Sequence, residues 1–307
     1  MEKTSMKIGI FNARGLDDSN GEFFIPLEIE ELKRLGHEIR FFYIKGNHPT
    51  KEDVEWMDFA IYHFVPTALF FRRMGVPYCV LPTANDIFVD NGERLLILDK
   101  DKKCKFIGYQ SFYHKRKYEE WGLTKPLVHC PHSARTELFK RQTPYNPSGK
   151  IIAGGRLIPK KGLDRLKGME NLTIFGDGVL KEELKKNLHC SSIFTGYLDG
   201  NQLKDLFEES SIYLFPAIVT PDGDSDGLSN TIKEAMLMEL PVICSSVAGN
   251  VEFENVVHLN DWSKINEVIK SIPKEPNWKG RQEILKLFDP KIAVKMLEQG
   301  IIKYANG

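Results

Sequence analysis

The first half of the chain has no GxGxxG after its first apolar run, which weighs against a dinucleotide-binding dehydrogenase. Nor does any apolar run approach the roughly 20 residues that span a bilayer. The opening residues MEKTSMKIGIF hold no signal-peptide apolar core. The expected location is cytoplasmic, with peripheral contact at the inner membrane face left open. Cysteine is sparse, and the five (Cys79, Cys104, Cys130, Cys190, Cys244) show neither pairing nor metal-ligand spacing. Such a dispersed set fits reduced core thiols, and no metal or cofactor is expected. Neither sign of charge prevails: Lys+Arg and Asp+Glu are both 42. No global field therefore draws the chain to nucleic acid or membrane, though local patches stay open. Low-complexity segments and short-period repeats are also missing.

What is present is an ordinary globular composition, 42% hydrophobic and 27% charged, over 307 residues, enough for two domains. MKIGIF, then EFFIPLEIEELKRLG with helical spacing, then IRFFYI make a strand–helix–strand unit opening on a glycine-bearing turn. DFAIYHF, VPYCVLP, CKFIGYQS and PLVHCPH continue as strands. The segment 140–150, KRQTPYNPSGK, reads as a linker. Beyond it the alternation restarts. IIAGGRLIPKKGLDRL reads as strand, basic glycine loop and helix, LTIFGDG and SIFTGYL as strands, and IYLFPAI and PVICSS as later strands. The tail FDPKIAVKMLEQGIIKYA reads as one closing helix. Alternation of this kind implies α/β domains with parallel sheets and ligands at the carboxyl ends of the strands.

The most informative stretch is DGDSDGLSNTIKEAMLMELPVICSSVAG, residues 222–249. It is an acidic glycine loop, a short helix and a buried strand. Asp226 and Glu234 flank the helix start, where free N–H groups and a partial positive charge suit a phosphate. Carboxylates on either side of a diphosphate suit the hydroxyls of a ribose and a second sugar. Thr231 and Glu234 also have capping-box spacing, and the three aspartates 222, 224 and 226 also read as a solvated turn. In GGRLIPKKG, Arg156 and Lys161 lie five apart and suit a diphosphate, or form a solvated basic turn. His63, at a strand end, reads as structural or as a ligand contact.

GGRLIPKKGLDRL, LTIFGDG, SIFTGYL and DSDGLSNTIKEAMLMELPVICSSVAG, in this order, resemble the C-terminal domain of family-4 retaining glycosyltransferases (glycosyltransferase group 1). SNGEFF, RLGHEIRFF, DFAIYHF and CPHSARTELF resemble the first half of that family less closely. The resemblance implies a GT-B fold: two Rossmann-like domains with parallel sheets facing across a cleft, and a C-terminal helix crossing back to the N-terminal domain. The expected domains are 1–145 for the acceptor, 146–287 for the nucleotide-sugar, and 288–307 for the returning helix. It implies a metal-independent, retaining transfer from a nucleoside-diphosphate sugar to an acceptor hydroxyl. Arg156 and Lys161 are then expected on the diphosphate, Asp226 on the donor sugar, and Glu234 on the ribose. Gly227, Leu228, Ser229 and Asn230 would meet the β-phosphate. Gly155, Gly176, Tyr197 and Leu198 would line the donor site, Gly21 would lie near phosphates and sugar, and His63 over the sugar.

The sequence departs from the family pattern in three places. Asp226 stands where the commonest pattern has Glu, TAND replaces a loop that often carries a histidine, and Gly21 stands without a second glycine. The acceptor stays open among saccharides, lipid-linked glycans, small metabolites and modified DNA bases. Arg72, Arg73 and His114 to Lys117 would form either a basic patch for a lipid or polyanion or a solvated surface. A nucleotide-sugar-binding protein without transfer activity is the alternative reading.

Overall fold

The computed structural model describes residues 5–16, 22–83, 86 and 92–305. The chain divides into two compact units: 1–133 with 288–307, and 134–287. Residues 134–145, grouped above with the first half, therefore pack with the second unit.

In the first unit, β1 (Lys7–Asn12), β2 (Glu38–Tyr43), β3 (Phe59–His63), β4 (Tyr78–Leu81), β5 (Cys104–Tyr109) and β6 (Leu127–His129) form a parallel sheet in the order β2-β1-β3-β4-β5-β6. The apolar runs β3 and β4 are buried along their whole length, as strands covered on both faces must be. One face carries Phe11, Tyr62, Val65, Leu95 and Leu98. The other carries Ile8, Ile10, Phe59 and Phe106, with Phe24, Ile25 and Leu32 of α1 (Phe24–Arg34) packed on them. The tail adds Val294, Leu297 and Ile301 to this second face.

The tail forms the closing helix read from it, and a separate helix that the sequence reading lacked precedes it. α10 (Trp278–Phe288) stops, and α11 (Pro290–Tyr304) restarts with Asp289 as its cap and Pro290 in its first turn. Proline lacks the N–H an interior turn needs but suits a first turn, which explains the break. α11 is tied to the unit by His37, whose Nε2 lies 3.1 Å from Glu298 and whose Nδ1 accepts the Met6 N–H at 3.2 Å.

The second unit has its own parallel sheet. Its strands are β7 (Lys150–Gly154), β8 (Leu172–Phe175), β9 (Ile193–Gly196), β10 (Ser210–Phe215), β11 (Val242–Cys244) and β12 (Val257–His258), in the order β12-β11-β10-β7-β8-β9. Sequence order runs outward one way from β7 and the other way from β10, so the strand order reverses between them. A ligand crevice opens at such a point, outside the carboxyl ends of the strands. The segment expected as a helix after β7 forms two short 3₁₀ pieces, Pro159–Lys161 and Leu163–Leu166. Between them Gly162 has φ +60°, and a Cβ there would stand 2.3 Å from the Pro216 carbonyl oxygen. The chain passes too close to the next strand end for a regular helix to start.

Four cysteines are buried, whereas Cys190 is exposed, against the expectation of core thiols throughout. No helix among the described residues is long and apolar enough to cross a membrane. Sequence reasoning also missed the short helices α2 (Lys51–Trp56), α3 (Val65–Phe71), α4 (Glu93–Asp99) and α9 (Ile265–Ser271).

Of residues 114–117, read above as either a basic patch or a solvated surface, Arg116 is exposed, with Lys115 and Lys117 partly so, whereas His114 is not. His114, in α5 (Phe112–Glu120), is fully buried, with Nδ1 3.0 Å from Ser111 Oγ and no partner at Nε2 among the described residues. Lys115 and Lys117 of the same helix pair with Glu119 and Glu120. Burial lowers the His114 pKa from 6.5 to about 4. The unfolded chain then binds more protons than the native one between these values. The associated stability is intact above pH 6.5 and is lost as pH falls toward about 4. Its ceiling is about 3 kcal/mol. His114→Leu should therefore flatten the fall in urea midpoint between neutral and mildly acidic buffer. A variant as acid-sensitive as the wild type would show that His114 does not supply this pH dependence.

Candidate functional site

At the carboxyl ends of β7 and β8 the backbone approaches itself closely. Gly155 and Gly176 have φ of +121° and +102°, and a Cβ on Gly176 would stand 1.8 Å from the Gly155 carbonyl oxygen. Only glycine fits such an approach. The Gly155 N–H donates to Phe175 O at 3.1 Å and the Gly176 N–H to Gly196 O at 2.7 Å. These bonds fasten the basic loop across the neighbouring strand ends. Tyr197 and Leu198 follow β9 at the same edge, Tyr197 being exposed.

The loop ends in two buried lysines. Lys161 Nζ lies 2.9 Å from Asp226 Oδ2 and 3.1 Å from Oδ1, and 4.8 Å from the centre of the Phe215 ring. Burial pushes the Lys161 pKa down, Asp226 opposes the shift, and the positive charges of Arg156 and Lys160 add to it. Arg156 itself is exposed. Lys160 Nζ donates to Asp224 at 3.0 Å and to the Ser225 carbonyl at 3.3 Å, while its own carbonyl accepts the Ile218 N–H at 2.9 Å. The aspartates 224 and 226 are thus fixed partners of buried cations rather than members of a solvated turn. The role of Lys160 went unread because the KKG pattern does not say which lysine faces which acid.

Helix α8 (Asn230–Leu237) begins at Ser229, whose side chain makes no capping bond to it. The capping box allowed by spacing does not form. Thr231 Oγ1 accepts from the Tyr213 hydroxyl at 2.9 Å and stands 3.0 Å from Ser229 Oγ. Glu234 turns instead to Arg135, whose Nε and Nη2 both donate to Oε1, at 2.9 and 2.6 Å. Glu234 is only 1% exposed. Burial raises its pKa and Arg135 opposes the rise. Next to it, Lys233 is equally buried, and desolvation pushes its pKa down to about 7.

Asn250 was also missed. It lies just past the Gly249 that closes the informative stretch. Its Oδ1 accepts the Ser229 N–H at 3.0 Å, and its buried Nδ2, like Asn230 Oδ1, has no partner among the described residues. The second unit therefore gathers Gly155, Arg156, Lys161, Gly176, Asp226, Gly227, Leu228, Ser229, Asn230 and Glu234 on the strand-end loops and the α8 start. Cations, a helix N-terminus without a side-chain cap, and two acids are what binding a diphosphate with hydroxyls on both sides requires.

In the first unit, His63 ends β3. It is wholly buried, with Nε2 3.0 Å from Glu28 Oε1, the Phe24 ring 5.5 Å away and no partner at Nδ1 among the described residues. Gly21 lies outside the described residues. Among the described residues no group of three or more His, Cys, Asp or Glu side chains is placed to hold a metal ion.

Residues 152–270 match the family described as Glycosyl transferases group 1. The GDP-mannose-dependent alpha-mannosyltransferase of Mycobacterium tuberculosis is 31% identical over 124 residues, which cover 38% of this chain and 30% of that protein. The amylovoran biosynthesis glycosyltransferase AmsK of Erwinia amylovora is 29% identical over 115 residues, covering 33% and 28%. The matches thus span under a third of the length of these relatives. Among solved structures, sucrose-phosphate synthase from Thermosynechococcus elongatus superposes with a TM-score of 0.77 at 14% identity, covering 97% of this chain and 98% of that one. HepE of Anabaena in complex with UDP superposes with a TM-score of 0.70 at 13% identity, covering 97% and 100%. The chain has the GT-B fold, and the basic loop, acidic loop and α8 lie within the stretch that matches the family.

Gly176→Ala should destabilise the second unit by roughly 2–4 kcal/mol, through backbone strain and the clash with Gly155. Urea unfolding measures this. Wild-type stability in the variant would mean that the two strand ends are not in contact.

Proposed function

We propose that this protein transfers a sugar from a nucleoside-diphosphate donor to an acceptor hydroxyl, with retention at the anomeric carbon. The observation that carries the reading is the placement of Lys161 with Asp226, and of Glu234, around the start of α8, within the stretch that matches the family. In this reading the diphosphate lies against Lys161, Arg156 and the first N–H groups of α8. These groups stabilise the charge that develops on the leaving diphosphate. They are aimed before the reaction begins, so little reorganisation is needed. Because the chain's own cations supply this charge, the transfer is proposed to need no metal.

Asp226 is assigned the hydroxyls of the donor sugar and Glu234 those of the ribose. A diphosphate reaching Lys161 competes with Asp226 for the amine. Donor binding would then loosen the Asp226 carboxylate and turn it toward the sugar. Arg156 is exposed and can close on the diphosphate from the solvent side. The leaving phosphate oxygen takes the acceptor's proton as the new glycosidic bond forms on the face the diphosphate leaves. That route needs no separate protein base. His63, held by Glu28, is assigned to the sugar end through its Nδ1, which has no partner among the described residues. The fine family assignment, family 4, belongs to the same proposal, as does a cytoplasmic site of action.

The test is donor hydrolysis and thermal shift against UDP-, GDP-, ADP- and TDP-sugars in the presence of a chelator. One donor should raise the melting temperature and be slowly hydrolysed. Silence across the panel from folded protein would overturn the reading. Glu234→Ala and Lys161→Ala should each lower turnover by roughly 10²–10³-fold while leaving the fold intact by circular dichroism. Near-normal turnover in either would remove that residue from the site.

A further inference from the structure

Resting on the proposed function, we infer that Arg135 is a positioning residue for the nucleotide end of the site. Its guanidinium holds the Glu234 carboxylate ionised and aims Oε2 at the ribose diol.

The geometry is specific. Both guanidinium bonds go to Oε1, from Nε and Nη2. Oε2 takes no hydrogen bond among the described residues. A ribose diol presents two O–H donors, and a carboxylate must be ionised to offer acceptors alone. Glu234 is buried, and burial by itself favours the neutral acid, which would spend one oxygen as a donor. The groups that face Glu234 are Arg135, the Lys233 amine on its own helix and the Tyr213 hydroxyl on β10. Lys233 is itself pushed toward neutrality by burial. Arg135 is the cation that bonds the carboxylate directly, and a guanidinium stays charged at any pH of interest.

The surroundings hold the guanidinium in place. It lies 4.8 Å from the centre of the Phe139 ring. A Cβ on Gly200, at the start of α7 (Gly200–Glu208), would stand 2.5 Å from Arg135 Nη1 and 3.5 Å from Cζ. Gly200 thus leaves the space the guanidinium needs. Arg135 and Glu234 are 99 residues apart in sequence, so the α8 motif does not announce the partner.

The experiment compares wild type with Arg135→Gln, Arg135→Lys, Gly200→Ala and the double variant Arg135→Gln/Glu234→Gln. The first readout is the infrared carbonyl band of a protonated carboxylic acid at neutral pH. It should appear in Arg135→Gln and be absent from wild type and from the double variant. The second is the pH profile of UDP, GDP, ADP and TDP binding by calorimetry. Wild type should bind one of them with little change between mildly acidic and mildly alkaline pH. Arg135→Gln should bind it about ten- to a hundredfold more weakly at the acidic end and recover as pH rises. Arg135→Lys should restore the flat profile with part of the affinity. Gly200→Ala, which keeps the arginine but crowds it, should lose affinity without gaining the carbonyl band.

Arg135→Gln with wild-type affinity and profile, or a protonated-acid band already present in wild type, would overturn the inference and leave the proposed function standing. Wild type that binds none of the four nucleotides while the bands behave as stated would overturn the proposed function and keep the charge assignment.

Discussion

Lys160, Lys161, Lys233, Asp226 and Glu234 are all buried around one helix start and the loops that face it. Removing a charge from water costs several kcal/mol even after the protein relaxes around it. Each ion must therefore be met by a partner at close range, and the backbone has to deliver those partners together. This constraint organises the second unit. The Gly155–Gly176 contact lets the basic loop lie flat across the strand ends, and Gly162 lets it turn beside Pro216. Lys160 then holds the acidic loop by Asp224 and the Ser225 carbonyl. The pairs are weak devices for stability, because hydrophobic replacements of similar volume often do as well. Their effect is to hold charge at fixed positions around the helix start.

The shorter acid at position 226 fits this arrangement. With one methylene less than glutamate, Asp226 meets the Lys161 amine with both of its oxygens. Lys161 in turn sits over the Phe215 ring, which favours a cation on its face. A longer acid at 226 would have to fold back to make the same pair.

Much of the fold was legible in the sequence because parallel strands buried on both faces are written as short apolar runs, as in FAIYH and SSIYLF. The acid pair and the basic loop were legible because glycine and charge recur around the helix start. Arg135 and Asn250 were not, since each acts across the fold on a partner far along the chain and neither carries a local pattern. The short helices were hidden for a related reason. α2 and α3 span six and seven residues, too few to show a helical period. The capping box between Thr231 and Glu234 shows the opposite failure. The spacing was right, yet tertiary partners, Tyr213 and Arg135, claimed both side chains.

The final helix has a consequence for how the chain reaches its native state. α11 supplies Val294, Leu297 and Ile301 to a core whose other members begin at Ile8. The first unit is therefore assembled from two separate segments, and the second, 134–287, is a continuous insertion between them. During synthesis the inserted unit has its whole sequence out of the ribosome before the first unit has its last helix. Helix α1 packs on part of the face that α11 completes, but the part that Val294, Leu297 and Ile301 cover stays exposed for as long as the ribosome takes to add more than 150 residues.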